Sequence, residues 1–267
     1  MTYCIIGGAY DLSVGSVVSM SGVIAILSIN AGVNEFLAIA YALLAGLGVG
    51  IANGSLMSLI NGRSGEAFIV TYGMQVVVAS IALFPSNGLF ISGRVKEGFF
   101  KTIGRGYWPI GLFLVLSVVL EIILRRTRFG RKMCFIGSNM DAAKMSGIRV
   151  KPHRVSFYAI SGILASFAGV LLCSRVTSSN PTAGAGFEMD AIAAVVVGGT
   201  STNGGKGSIV RTLIGAIVIG VMGNALNILG ITAYHQQIVK GLLIIAAVAM
   251  DLWNKRIRTR RTAHERV

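Results

Sequence analysis

Acids are scarce in this 267-residue sequence: ten Asp and Glu stand against 24 Lys and Arg. Charged residues of both signs make up 13% of the chain, whereas 54% is hydrophobic. Soluble domains carry about 25% charged residues, so a soluble fold would have too little polar surface here. Cysteine is nearly absent, and Cys4, Cys134 and Cys173 offer neither a disulfide framework nor metal-ligand spacing. The three histidines, at 153, 235 and 264, are equally dispersed. No nucleophile–base pair, metal cluster or cofactor loop is present, which makes an enzyme the least favoured class and a non-enzymatic subunit the expectation. Met1–Tyr10 lacks the basic start and small-residue cleavage site of a secretory signal.

What the sequence has in abundance is apolar length. Mean hydropathy is +0.73, and runs of about 20 apolar residues are what a helix needs to cross a bilayer. Such runs predict crossings near 12–30, 36–60, 67–84, 107–124, 154–173, 208–230 and 235–253. An eighth apolar segment, Asp190–Thr200, is too short for a full crossing and reads as a short or broken helix. The predicted fold is therefore all-α: a single polytopic helical membrane domain over residues 1–267 with about eight membrane segments. Membrane lipid is its first partner.

The net charge of +14 invites a nucleic-acid reading, but its distribution argues otherwise. Nine Lys and Arg lie in Arg125–Arg154 and six more in the tail Lys255–Val267. Basic connections stay on the cytoplasmic side of a bilayer. Alternation from that loop places 61–66 and 201–207 inside, with 85–106 and 174–189 outside. The tail 254–267 is then cytoplasmic, provided that the short segment counts as a crossing or its equivalent. The outer loops hold only Arg94, Lys96, Lys101, Arg105 and Arg175. Nucleic acid is excluded as a partner, and a multi-pass membrane protein with a cytoplasmic C-terminus is expected.

Glycine is the second signal, at 35 residues, much of it inside predicted spans, as at Gly46, Gly48, Gly50 and Gly54. Small residues let membrane helices approach closely, because lipid provides no hydrophobic drive for their association; smooth faces would also suit helices that slide. The run GGTSTNGGKGS, Gly198–Ser208, resembles a phosphate loop only at first sight. The Walker pattern requires Gly where Thr200 stands and Ser or Thr where Gly207 stands. A broken helix accounts for it better, since irregular backbone is tolerated at membrane depth when buried in protein. Asp11, Glu188 and Asp190 are placed to cap helix N-termini, and Lys240 and Glu121 to snorkel outward along their stems. The uncharged polar residues Asn53, Thr71, Tyr72, Gln75, Asn224 and Asn227 either tie helices together or line a path for a neutral, hydroxyl-rich solute. Asn53, Tyr72, Gln75, Asn224 and Asn227 are the candidates for that path.

Several strings taken together resemble a known family. They are DLSVGS (Asp11–Ser16), AFIVTYGM (Ala67–Met74), TRFGRKMCFIGSNMDAAKMSGI (Thr127–Ile148), the run from Asn180 to Ala216, and the end from Gly223 to Asp251. In order and spacing they resemble the membrane permease of ribose/galactose-type sugar ABC transporters. The resemblance implies a permease that pairs with a second copy or a paralogue, powered by separate ABC ATPase subunits and fed by a periplasmic sugar-binding protein. It implies no cofactor on this chain, with ATP and Mg held by the partner ATPase. It also implies that Asp141, Ala142, Ala143, Ser146, Gly147 and Ile148 form the segment that seats in the ATPase, with the Ala142–Ala143 pair and Gly147 as its knob. Ser138 and Met140 stand where that family often has Gly and Glu. About two further helices usually precede the DLSVGS segment in that family, and here ten residues do.

A permease for branched-chain amino acids remains the alternative, although a zwitterion would call for charge in mid-membrane. An ion-coupled carrier would need buried carboxylates of the relay kind. The topology has a direct test. A cysteine introduced near Arg128, in a background free of native cysteines, should resist an impermeant thiol reagent in intact cells; ready labelling would reverse the orientation.

Overall fold

The computed structural model describes residues 1–249 apart from Ala233, Ile244, Ala247 and Val248. Its chain is helical almost throughout. After a short α1 (Thr2–Ile6) come α2 (Val14–Asn30), α3 (Glu35–Leu59) and α4 (Ser64–Leu83), the last running into a 3₁₀ turn at Phe84–Ser86. Then follow α5 (Phe99–Ile103), α6 (Trp108–Arg126), α7 (Arg128–Ser138), α8 (Met140–Met145) and α9 (Val150–Val176). The short α10 (Phe187–Val197) and α11 (Ile209–Ile228) complete the body, and 234–243 is again helical. Two two-residue strands, β1 (Ile91–Ser92) and β2 (Ser178–Ser179), pair antiparallel with Ile91 opposite Ser179.

The apolar runs therefore became helices where they were expected. Among the described residues, five helices are long and apolar enough to cross a membrane: Glu35–Leu59, Ser64–Ser86, Trp108–Arg126, Val150–Val176 and Ile209–Ile228. Val14–Asn30 is a shorter apolar helix, and α10 is the short segment. The last expected crossing is only partly covered, and the basic tail lies outside the described residues. The polar stretch 125–154, the connection between two crossings, is itself largely helical. Thr127 Oγ1 accepts from the Gly130 amide to start α7, and Asn139 Oδ1 accepts from the Asp141 and Ala142 amides to start α8. Each is a side-chain N-cap, and each turns a predicted connection into a helix.

The centre of the fold is a glycine seam between α3 and α9. A Cβ on Gly46 would collide with Ser166 and the Gly162 carbonyl, one on Gly50 with the Tyr158 carbonyl, and one on Gly54 with Val155. Residues four apart share a helix face, so Gly46, Gly50 and Gly54 form one smooth stripe against which the α9 backbone lies. Gly162 closes the contact from the other side, against the Gly46 carbonyl. Gly48 points into open space and belongs to a different face.

The two ends of the bundle collect different loops. At one end, Arg154 of α9 donates to the carbonyls of Met57 and Gly62, and Arg63 pairs with Asp141 at 3.1 Å. At that same end the Gly205 amide donates to the Ile6 carbonyl, with Gly137 and Ser138 packed against it. Residues 61–66, 125–154 and 201–207 are thus neighbours. At the other end, Asn30 bonds Ser92 and the Arg94 amide, Glu35 accepts from the Phe99 and Phe100 amides, and β1 pairs with β2. This is the grouping that alternation of the crossings predicted.

Within the seam, Gly50→Ala should lower stability by about 1–3 kcal/mol through overpacking. Gly48→Ala should be neutral or stabilise by up to about 1 kcal/mol through helix propensity. Thermal unfolding of the detergent-solubilised protein separates the two. Equal melting points would remove the stripe from the account.

Candidate functional site

Two places in this framework can act. The first is α8 at the basic end. Asn139 starts it, and Gly147 ends it with φ +77, which lets the Ile148 amide return to the Ala143 carbonyl at 3.0 Å. A left-handed residue at this position is the usual helix stop, and glycine adopts it without strain. Asp141, Ser146 and Gly147 are exposed, Ala142 and Ile148 half-buried. Ala143 corrects the expected knob: it is fully buried in the core with Tyr3, Met133 and Phe157, and so supports α8 from beneath. Composition around the Ala pair drew attention away from Met145, which is 83% exposed at the tip of the turn. An apolar side chain standing free beside Lys144 and Asp141 makes α8 a mixed polar and apolar knob. Cys134 on α7 sits behind it, and burial raises its thiol pKa.

The second place lies in mid-membrane, around the first turn of α2. Residues 7–13 run unwound from the basic end, where Gly8 meets Ser64 and Gly137, into the bundle, where Leu12 meets Thr71 two turns along α4; in the bundle unpaired backbone groups would cost several kcal/mol each. They are met by side chains from two helices, α4 and α9. Ser64 donates to the Gly8 carbonyl at 2.7 Å and Tyr158 to the Tyr10 carbonyl at 3.0 Å, while Thr71 accepts from the Leu12 amide at 3.0 Å. Asp11, 1% exposed, accepts from the Ser13 amide and hydroxyl at 3.2 and 2.6 Å, so it caps as expected. Asn53 donates to Ser13 Oγ at 2.9 Å and to Asp11 at 3.5 Å.

One turn above Thr71, Gln75 Nε2 donates to Glu188 Oε1 at 3.1 Å. Glu188 and Asp190 stand in the first turn of α10, but neither caps its backbone. Glu188 is taken by Gln75, and Asp190 pairs with Lys240 at 2.8 Å. The expected outward snorkelling of Lys240 is overturned by that pair. Glu121 does not snorkel either: it accepts from Ser208 Oγ at 2.9 Å and from the Ile209 amide at 2.7 Å, closing the N-terminus of α11. In hydrocarbon a carboxylate gains more from an amide or cation within reach than from a stretch to the interface.

The candidate path residues do not converge. Asn53 is completely buried in the α2–α3 contact, Gln75 is half-buried, and Tyr72 is 54% exposed on the other face of α4. Asn224 and Asn227 are exposed on α11, where Asn227 accepts from Gln236 at 2.7 Å. α4 packs on α2 and α3, whereas α11 packs on α10 and α6. Glu188 is the residue that inspection of uncharged amides missed. The signal was available: an acid just before the short apolar stretch Ala191–Val197.

Comparison with known proteins agrees with this architecture. Residues 1–248 match the family model described as branched-chain amino acid transport system / permease component. The ribose import permease protein of Bacillus subtilis (strain 168) is 40% identical over 256 residues, which cover 94% of this chain and 79% of that protein. The D-allose transport system permease protein of Escherichia coli (strain K12) is 38% identical, covering 93% and 77%. The L-arabinose transport system permease protein of the same strain is 32% identical, covering 97% and 79%. No solved structure matches the chain. With the whole body of the chain matched and its helices in place, the chain belongs to this family of import permeases, as a transport subunit of the ABC type and not an enzyme.

Proposed function

We propose that this chain forms the translocation path of a bacterial importer for an uncharged sugar. The observation that carries the reading is the run of relatives named for ribose, allose and arabinose, each aligned over more than nine-tenths of this chain. The interior chemistry supports it. Asp251 and Glu265 lie outside the described residues, and each of the other acids has a hydrogen-bond or ion-pair partner. An ion-coupled carrier would keep a carboxylate ready to exchange its ion. The description of the matched family model would also suit a zwitterionic amino acid, but amides and hydroxyls around α2 suit a neutral polyol better.

In this reading the basic end faces the cytoplasm, as does the tail beyond Trp253, because both carry the excess of Lys and Arg. α8 seats in a separate ATPase subunit through Asp141, Ala142, Ser146, Gly147 and Ile148, with Ala143 holding the helix from below. ATP and Mg belong to that subunit, and this chain binds no cofactor. A periplasmic sugar-binding protein delivers to the opposite end, where β1 and β2 meet. A second permease copy, or a paralogue, completes the path. Tyr72 and Gln75 of α4 and Asn224 and Asn227 of α11 are the side chains of the path, with Asn53 fixing the turn beside it. ATP drives transport because closure of the ATPases favours one permease conformation over the other.

Substrate class is tested in proteoliposomes that hold the permease, its ATPase and its binding protein. Labelled ribose, allose or arabinose should accumulate with ATP, and leucine should not; leucine uptake without sugar uptake would overturn the reading. Coupling is tested at α8. Nothing lies within 4 Å of a Cβ on Gly147, so Gly147→Trp meets no clash within this chain. Its left-handed φ adds backbone strain of about 1 kcal/mol. Gly147→Trp and Asp141→Lys should abolish uptake and uncouple ATP hydrolysis from the binding protein while the permease stays in the membrane. Normal transport by both would separate α8 from the ATPase.

A further inference from the structure

Two helices of this chain start inside the membrane, and their first turns touch. Counted along α4 from Ser64 at 1.5 Å per residue, Gln75 lies about 16 Å deep, near the middle of a core roughly 30 Å thick. There Gln75 meets Glu188 at the start of α10. The α10 N-terminus is brought to this depth by a backbone contact that only glycine allows. A Cβ on Gly15, in the first turn of α2, would collide with the Gly184 carbonyl and with Glu188 Oε2, and a Cβ on Gly184 would collide with the Gly15 carbonyl. Ser19 of α2 holds the same loop, accepting from the Gly184 amide at 2.9 Å.

The pair is polar beyond what packing needs. Glu188 is 7% exposed, yet its Oε2 has no hydrogen-bond partner, and neither has Oε1 of Gln75. Buried polar atoms are nearly always paired, and a residue kept only to join two helices would have both its acceptors filled. Two acceptors without donors suit a ligand rich in O–H donors. α10 rests on α11 and α2, and α4 rests on α2 and α3, so a side-chain bond between α4 and α10 can break without unpacking either helix.

We propose that Gln75 and Glu188 form a mid-membrane latch that joins α4 to α10 in the closed path and opens to hydrogen-bond the hydroxyls of the passing solute. This rests on the sugar-importer reading and adds to it a gate and the residues that build it. Glu188 accepts in both states: from Gln75 when the path is closed, from a solute hydroxyl when it is open. The exchange replaces one hydrogen bond by another of similar strength, so neither state is trapped. Asn or Gln at position 188 would keep an acceptor and lose the charge that strengthens the bond.

The test uses the assembled importer in proteoliposomes, in a background free of native cysteines. Cysteines at positions 75 and 188, joined by a short membrane-permeant bis-methanethiosulfonate, should stop uptake of labelled ribose, allose or arabinose, and a reductant should restore it. Glu188→Gln should slow uptake roughly tenfold, the equivalent of one charge-assisted hydrogen bond, with the binding protein's sugar affinity unchanged. A cross-linked importer that transports at the uncross-linked rate overturns the latch, because a purely structural contact tolerates a tether. Should Glu188→Gln or the cysteine pair fail to assemble, Gln75→Leu decides in their place: it removes the donor at a half-buried position and leaves the Glu188 carboxylate, and uptake at the wild-type rate would overturn the latch. If none of the three sugars is taken up but leucine is, and the cross-link stops that uptake, the sugar reading falls together with the hydroxyl ligand, and only a gate at Gln75 and Glu188 stands.

Discussion

The structure depends on one constraint: a backbone group in hydrocarbon has no water to bond, so every interruption of a membrane helix must be answered by protein. Residues 10–13 are where that constraint bites hardest. Their backbone groups are met by Thr71 of α4, by Tyr158 of α9 and by the carboxylate of Asp11, while Ser64 holds the Gly8 carbonyl nearer the basic end. Those donors and acceptors must stand within about 3 Å of their targets, which fixes how α3, α4 and α9 sit around the first turn of α2. The glycine seam serves the same end. Without a hydrophobic drive between helices, close packing of α3 on α9 supplies the attraction, and it places Tyr158 and Asn53 where the unwound turn needs them.

From that arrangement the functional geometry follows. An α2 that begins below the membrane surface exposes its first turn to a second chain segment, and the loop before α10 occupies the place. Gly15 and Gly184 let the two backbones approach, and the short α10 then carries Glu188 to Gln75. The far end of α10 leads to the loop 198–208, whose Gly205 is bonded to Ile6 and packed on Ser138 beside α8. Movement of α8 against a partner is therefore one short helix away from the mid-membrane contact. Arg154 clamps the end of α3, and Glu121 closes the start of α11.

Much of this was legible in the sequence. Apolar runs of membrane length marked α3, α4, α6, α9 and α11, the basic stretch marked the end that holds α8, and the incomplete Walker pattern at Gly198–Ser208, read as a break in a helix, is the break between α10 and α11. What could not be read was the partner of each polar residue. Asp190 and Lys240 are fifty positions apart, and nothing local announces that they pair across helices. Thr127 and Asn139 look like ordinary loop residues until their side chains are seen capping helices. Ala143 shares its composition with Ala142, and only the rotation of a six-residue helix decides which one is buried. Glu188 looked like a cap because an acid at a helix start usually is one; here a tertiary partner outweighed the local dipole.

The most direct test of the account is amide hydrogen exchange in the assembled importer over residues 11–17 and 184–190. If the meeting of α2 and α10 is a protein-sealed contact that opens during transport, these amides should exchange slowly at rest. They should lose protection when binding protein, sugar and ATP are supplied together. Protection that is high in both conditions, or absent in both, would contradict a mid-membrane contact that opens on cycling.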